Sequence, residues 1–170
     1  TGRLILARDR LGIKPLFYVR LADRVAFASE IKALLPILRG RPEIEPGALR
    51  QFLQNQFAGG EETLFAGIRR VLPGEALIID QTLHCERRRY WSALDVPPRQ
   101  IGLEEAREEL GALMDAVMVE HMRSDVPFGL FLSGGVDSAV LAANLNAHGA
   151  GRIKSWSVGY QGTATSDELD

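Results

Sequence analysis

Cysteine is nearly absent: Cys85 is the only one in 170 residues, which excludes an internal disulfide and suits a reducing, cytoplasmic setting. As a nucleophile that thiol would need a lowered pKa. The stretch HCERRRY sets His84 and Arg87–Arg89 beside it, but a half-buried strand cysteine is the simpler expectation. The net charge is only −2, which leaves no electrostatic footprint for nucleic acid or anionic lipid. No apolar run approaches the roughly 20 residues of a membrane-spanning helix, so no membrane partner is expected. There is no CxxC or HExxH, and His84, His121 and His148 are not spaced as metal ligands; surface or helix-end positions are expected for them. GxxxxGK[ST], GxGxxG and GxSxG are all missing, which excludes the Walker loop, the dinucleotide fingerprint and the nucleophile elbow. The opening TGRLILARDRLG has no Met and no signal-type cleavage site, so the expectation is a processed chain or part of a longer one, without a secretory leader.

Hydrophobic residues make up 46% and charged residues 25%, enough for packed cores. RLILARD (residues 3–9) and PLFYVRL (15–21) read as a hairpin or two adjacent strands around RLGIK. ADR (22–24) is a turn and VAFA (25–28) a third strand. Ser29 is placed to cap a helix carrying Ile31, Leu34, Leu35 and Leu38 and ending at Gly40, with Pro36 distorting or shortening it. Pro46 opens a second helix with Leu49, Phe52, Leu53 and Phe57 on one side. The stretch AGGEETLFAGIRRVLPG is loop-rich, EALIID (75–80) is a strand, and CERRRYWS is its partner. Residues 1–92 therefore form an antiparallel α+β piece, and the proline-bearing stretch 93–102 is a linker. From Leu103 an amphipathic helix carries Ala106, Leu110, Leu113, Met114, Val117, Met118 and Met122. FGLFL (128–132) reads as a strand buried on both faces, SAVLAANLNAH as a helix closed by Gly149, and KSWSVGY (154–160) as a second strand. Strand, helix and strand within about 30 residues make a βαβ unit, so residues 103–170 open an α/β domain with a parallel sheet. The polar tail QGTATSDELD leaves that sheet unfinished.

The chemistry concentrates in LFLSGGVDSAVLAANLNAHG. A strand ending in a glycine turn that opens a helix presents backbone N–H groups and partial positive charge to an anion. Gly134 and Gly135 permit close approach, and Ser133 and Ser138 offer hydroxyl donors. Asp137 repels a phosphate unless a cation intervenes, so it points to Mg²⁺ near a pyrophosphate. A plain strand-to-helix turn with a capping serine is the competing reading of the same residues.

SGGVDS resembles the PP-loop, SGGxDS, of the ATP pyrophosphatases. The stretches ARDRLGIKPLFY, FASEIKALL, TLFAGIRRVLPG, YW and FGLFLSGGVDSAVLA follow in the order of the glutamine-hydrolysing asparagine synthetases of bacterial B type. The resemblance covers nearly the whole chain. It implies the C-terminal part of a glutaminase (class II amidotransferase) domain, a linker, and the start of a PP-loop synthetase domain of the adenine nucleotide alpha hydrolase type. In such enzymes aspartate and MgATP give β-aspartyl-AMP and pyrophosphate, and ammonia from glutamine then gives asparagine. ATP and Mg²⁺ are thus the implied cofactors, aspartate and glutamine or ammonia the implied substrates, and a homodimer is compatible. The same resemblance assigns Leu132, Ser133, Gly134, Gly135, Asp137, Ser138 and Val158 to the nucleotide, with Asp137 near the metal; Leu132 and Val158 suit a core equally well. The glutaminase nucleophile, an N-terminal cysteine in the family, has no counterpart here, and no catalytic residue is assigned. Relatives sharing the PP-loop amidate other carboxylates, and a non-catalytic ATP-binding or interaction module is a further alternative. Arg8 and Asp9 are expected as a structural ion pair rather than interface residues. Glu30 fits a helix's first turn, with a weaker case for a tunnel role.

Overall fold

Adjacent residues of a strand point to opposite faces, so a strand with two buried neighbours must be covered on both sides. Tyr18 and Val19, each 2% exposed, meet that condition in the computed structural model, which describes residues 2–38, 40–149 and 153–158. They lie in β2 (Phe17–Arg20), the middle strand of an antiparallel sheet ordered β3-β2-β4, with β3 at Val25–Ala28 and β4 at Ile68–Arg70. On one face Tyr18 packs with Leu6, Val71, Leu77 and Ile79. Leu6 belongs to β1 (Leu4–Ala7), and Leu77 and Ile79 to β5 (Glu75–Ile79). On the other face Val19 and Ile68 pack against Leu34. Burying a side chain of this size stabilises by about 1.5–3 kcal/mol.

β1, β5 and β6 (Cys85–Arg89) form a second antiparallel sheet with β5 in the centre. The register runs Leu4 with Ile79 to Ala7 with Ala76, and Glu75 with Arg89 to Ile79 with Cys85. The strand pair expected from EALIID and CERRRYWS is therefore present, and Cys85 is half-buried beside the Leu6–Tyr18 cluster. All of this belongs to a unit that spans Thr1–Pro98.

The expected β1–β2 hairpin does not form; the two strands belong to different sheets. The segment between them folds on itself instead. The Asp9 carboxylate accepts hydrogen bonds from the Ile13 and Lys14 N–H groups at 2.9 and 3.1 Å, and Pro15 has no N–H to extend a ladder. Those backbone donors, Ile13 first, hold the Asp9 carboxyl below its ordinary value. Nor do Arg8 and Asp9 form the expected ion pair. The Arg8 guanidinium donates to the carbonyls of Gly12, Lys14 and Val71 at 2.7, 3.0 and 2.9 Å, so both residues are structural through the backbone.

The helix expected over Ile31–Leu38 is replaced by two 3-10 turns, Ile31–Ala33 and Leu35–Ile37. Pro36 removes a donor, and its ring conflicts with the carbonyl four residues back, which prevents an α-helix. Ser29 caps nothing there. Glu30 precedes the first turn and pairs with exposed Lys32 at 2.5 Å. The helix after Pro46 is as expected: α1 runs Pro46–Asn55, starts with Pro46 at its first position, and ends where Gln56 turns left-handed at φ 63°. It is buried through Ala48, while Phe52, Leu53 and Phe57 are exposed. Strand β4 is unforeseen, because three residues, two of them arginine, carry no readable alternation.

A polar knot joins the sheets. The Glu61 carboxylate accepts from the Tyr18 hydroxyl at 2.9 Å, from Arg69 at 3.4 Å and from both terminal nitrogens of Arg87, one of them at 2.7 Å. Hydrogen bonding to Arg87 holds the Glu61 carboxyl below its ordinary value, while burial pushes the Tyr18 hydroxyl up. A depressed carboxylate stabilises the fold above its unfolded pKa, and that contribution disappears as pH falls through the folded value. Glu61→Gln is therefore expected to lower the neutral-pH unfolding free energy by about 1–3 kcal/mol. Denaturant titrations should show that difference shrinking below about pH 4; a difference constant with pH would exclude a role for the charge.

The second unit spans Arg99–Asp170. α2 (Leu103–His121) begins beside Gly102 with Glu104 and Glu105 in its first turn. β7 (Gly129–Phe131) and β8 (Lys154–Trp156) pair in parallel across α3 (Val136–Ala147), which gives the expected βαβ order. His148 at the end of α3 contacts Asp115 of α2 at 3.0 Å. β7 is not buried on both faces: Phe131 is 78% exposed, and among the described residues its sheet consists of β7 and β8 with α3 packed against it. Likewise the apolar stripe of α2 is mostly exposed, with Met118 as its buried residue. The expected strand 154–160 ends at Trp156; residues 159 and 160 and the tail 161–170 lie outside the described residues. Among the described residues no helix is long and apolar enough to cross a membrane.

Candidate functional site

The stretch from Leu132 to Ser138 leaves β7, turns, and enters α3. Leu132 continues the ladder, with its N–H donating to the Trp156 carbonyl at 2.9 Å. Gly134 then adopts φ +80°, a conformation in which a Cβ is strained, so the turn requires glycine at that position. Gly135 returns to extended backbone as the residue before α3, and the first helical bond runs from the Ala139 N–H to its carbonyl at 3.1 Å. The N–H groups of Val136, Asp137 and Ser138 consequently begin the helix without intrahelical acceptors, where the helix dipole concentrates positive charge.

The two serines differ. Ser138 is buried, accepts from the Ser133 N–H at 3.2 Å and donates to the Gly135 carbonyl at 3.0 Å. It braces the turn from inside and does not act as the helix cap of the competing sequence reading; α3 has no side-chain cap. Ser133 is exposed, and its hydroxyl lies 3.2 Å from that of Ser138 and 3.4 Å from the Gly135 N–H. Asp137 is exposed in the first turn of α3, and among the described residues its carboxylate takes part in no hydrogen bond or ion pair. A free carboxylate beside unpaired helix N–H groups is the donor set that a cation shared with an anion would use. Among the described residues no group of three or more His, Cys, Asp and Glu side chains could hold a metal by itself.

Leu132 is half-buried and lines a cavity of about 200 Å³ with Leu130, Leu145 and Ile153; no residue from Ser133 to Ser138 lines it. Val158, two residues past β8, is 67% exposed and so is not part of a core within this unit. The structure thus brings Leu132, Ser133, Gly134, Gly135, Asp137 and Ser138 into one turn, while Val158 follows the neighbouring strand.

Two family models match in sequence: the glutamine amidotransferase domain over residues 1–91 and asparagine synthase over residues 109–170. The chain belongs to the glutamine-hydrolysing asparagine synthetase family. The relative named asparagine synthetase [glutamine-hydrolyzing] 1 of Bacillus subtilis (strain 168) is 38% identical over 156 residues, covering 91% of this chain and 24% of its own length. Asparagine synthetase [glutamine-hydrolyzing] 3 of the same organism is 30% identical over 93% of this chain and 26% of its own length. A protein named amidase chyE, from Penicillium rubens, is 34% identical over 82% of this chain and 20% of its own length. This asparagine synthetase-like chain therefore spans about a quarter of the length of the curated relatives it matches. The antiparallel sheets lie within the part matched by the amidotransferase model, and the SGGVDS turn within the part matched by asparagine synthase.

Sequence reasoning missed two features that build these units. The Tyr18–Glu61–Arg87 knot joins residues far apart in the chain, and no local pattern signals it. Ser157, placed inside the expected strand KSWSVGY, in fact follows β8 and donates to the Leu132 carbonyl at 2.6 Å, and no local pattern signals that contact.

Proposed function

We propose that Ser133–Ser138 is the PP-loop of an ATP-dependent amidotransferase that adenylates aspartate, releases pyrophosphate and uses ammonia from glutamine to form asparagine. The reading takes residues 1–92 as part of a glutaminase domain, 93–102 as a linker and 103–170 as the start of the synthetase domain. The observation that carries it is the turn itself, in which left-handed Gly134 leads into a helix whose first N–H groups have no acceptor within the helix, with an unpaired Asp137 carboxylate in the same first turn.

In this reading the N–H groups of Val136, Asp137 and Ser138 and the Ser133 hydroxyl hold phosphate oxygens, each charge-assisted bond contributing about 1.5–3 kcal/mol. Ser138 orients the turn from within, and Leu132 and Val158 flank the nucleotide. Asp137 would hold Mg²⁺, which when bound neutralises phosphate charge and eases departure of pyrophosphate. The energetic logic is that of acyl activation: a carboxylate is a poor electrophile, and adenylation gives it a leaving group. Amidation of a different carboxylate is the second reading, because every residue of the turn is assigned to the nucleotide and none of them selects the acceptor acid.

The test is to supply the full-length protein with glutamine, MgATP and a panel of carboxylic acids and to follow the nucleotide products. AMP and pyrophosphate released with aspartate support the first reading, and the same products with another acid support the second. ADP and phosphate would overturn both.

A further inference from the structure

Parallel strands bind ligands at their carboxyl ends, where they part. In this sheet the parting is made by a side chain. The Leu132 N–H still donates to the Trp156 carbonyl at 2.9 Å, but the Leu132 carbonyl accepts from the Ser157 hydroxyl at 2.6 Å. Continued in register, the ladder would give that carbonyl the Val158 N–H as its donor instead. Leu132 is therefore held on both its polar groups by the end of β8. The next residue, Ser133, is held by its N–H to the Ser138 hydroxyl at 3.2 Å, and that hydroxyl is held by Gly135 at 3.0 Å. Four successive hydrogen bonds fix the direction in which the turn leaves β7, and two of them are local to the turn.

We propose that Ser157 is a positioning residue for the loop, which it holds in the direction that receives the triphosphate of MgATP; this rests on the nucleotide reading above. Ser157 itself touches no phosphate. Its hydroxyl fixes the carbonyl immediately before Ser133, so its loss leaves the brace between Ser138 and Gly135 intact while freeing the entry to the turn. The effect should therefore fall on nucleotide affinity rather than on the fold of the unit.

The test uses the full-length protein with Ser157→Ala and Ser157→Thr. The readouts are the Kd for the magnesium complex of α,β-methylene-ATP by calorimetry, the KM for ATP and kcat of pyrophosphate release, and thermal unfolding without nucleotide. Ser157→Ala is expected to weaken binding about fivefold and to raise KM for ATP by a similar factor with kcat little changed, while threonine, which keeps the hydroxyl, restores both. An unchanged Kd in Ser157→Ala, with wild type binding normally, overturns the role of Ser157 and leaves the nucleotide reading standing. Equal losses in both variants together with a lowered unfolding temperature also overturn it, since they mark a purely structural serine. Wild-type protein that binds no analogue overturns the nucleotide reading along with it.

Discussion

Asp137→Ala in the full-length protein is expected to lower carboxylate-dependent pyrophosphate release about 100-fold while leaving thermal stability nearly unchanged. The two effects separate because the Asp137 side chain is exposed and holds nothing else: among the described residues it makes no hydrogen bond or ion pair. Its contribution to the fold is the interaction of an acid with the first turn of α3, about 0.3–1 kcal/mol. Asp137→Asn sharpens the test. The amide keeps size and shape but supplies no charge to a cation, so it should be nearly as inactive as alanine. Full pyrophosphate release by Asp137→Asn, measured at saturating magnesium, would remove the metal from the assignment. Glutamine hydrolysis measured in parallel should not change, since Asp137 lies in the part matched by the asparagine synthase model.

The largest expected loss of stability comes from Gly74→Ala. Gly74 sits at φ +67°, and a Cβ there would lie 2.2 Å from the Trp91 carbonyl oxygen. The clash is with backbone, so no rotamer change relieves it. The same residue donates to the Asp9 carbonyl at 3.1 Å and accepts from the Tyr90 and Trp91 N–H groups at 2.8 and 3.2 Å. Displacing it therefore disturbs the end of β1, the start of β5 and the end of β6 together. Left-handed strain of about 1–2 kcal/mol adds to the steric term, for a total of about 3 kcal/mol or more. In a unit of this size that lowers the unfolding temperature by about 12 °C or more, readable by calorimetry. A change below about 3 °C would mean that the Trp91 segment moves aside freely.

What the sequence made legible was local. Pro46 opened α1, the run Glu75–Ile79 announced β5, and the strand–turn–helix around SGGVDS marked the site, because each depends on neighbouring residues alone. Partner choice was not legible. Residues 3–9 and 15–21 read as a hairpin or two adjacent strands, but Asp9 ties up the intervening loop, and β1 finds β5 while β2 joins a different sheet. A helical spacing over Ile31–Leu38 was real yet lost to Pro36. Within the site the six-residue motif gave both serines the same task. Only burial and hydrogen bonding distinguish Ser138, turned inward, from Ser133, exposed. The burial expected of β7 and α2 failed for a different reason: periodicity says which face is apolar, not whether the described residues supply something to cover it.

The pairing of Leu4 with Ile79 also sets a timetable for synthesis. β2 and β3 are separated by a short turn and can close as soon as both have left the ribosome. β1 is made well before β5, the strand it pairs with among the described residues, so Leu4, Ile5 and Leu6 wait for that pairing while the segment between Ala7 and Glu75 is translated. The Glu61 knot closes later still, because Arg87 in β6 is needed to complete it. β1 is thus made before β2 and β3 but secured against β5 after them, and during that interval a chaperone or a neighbouring nascent chain has access to it.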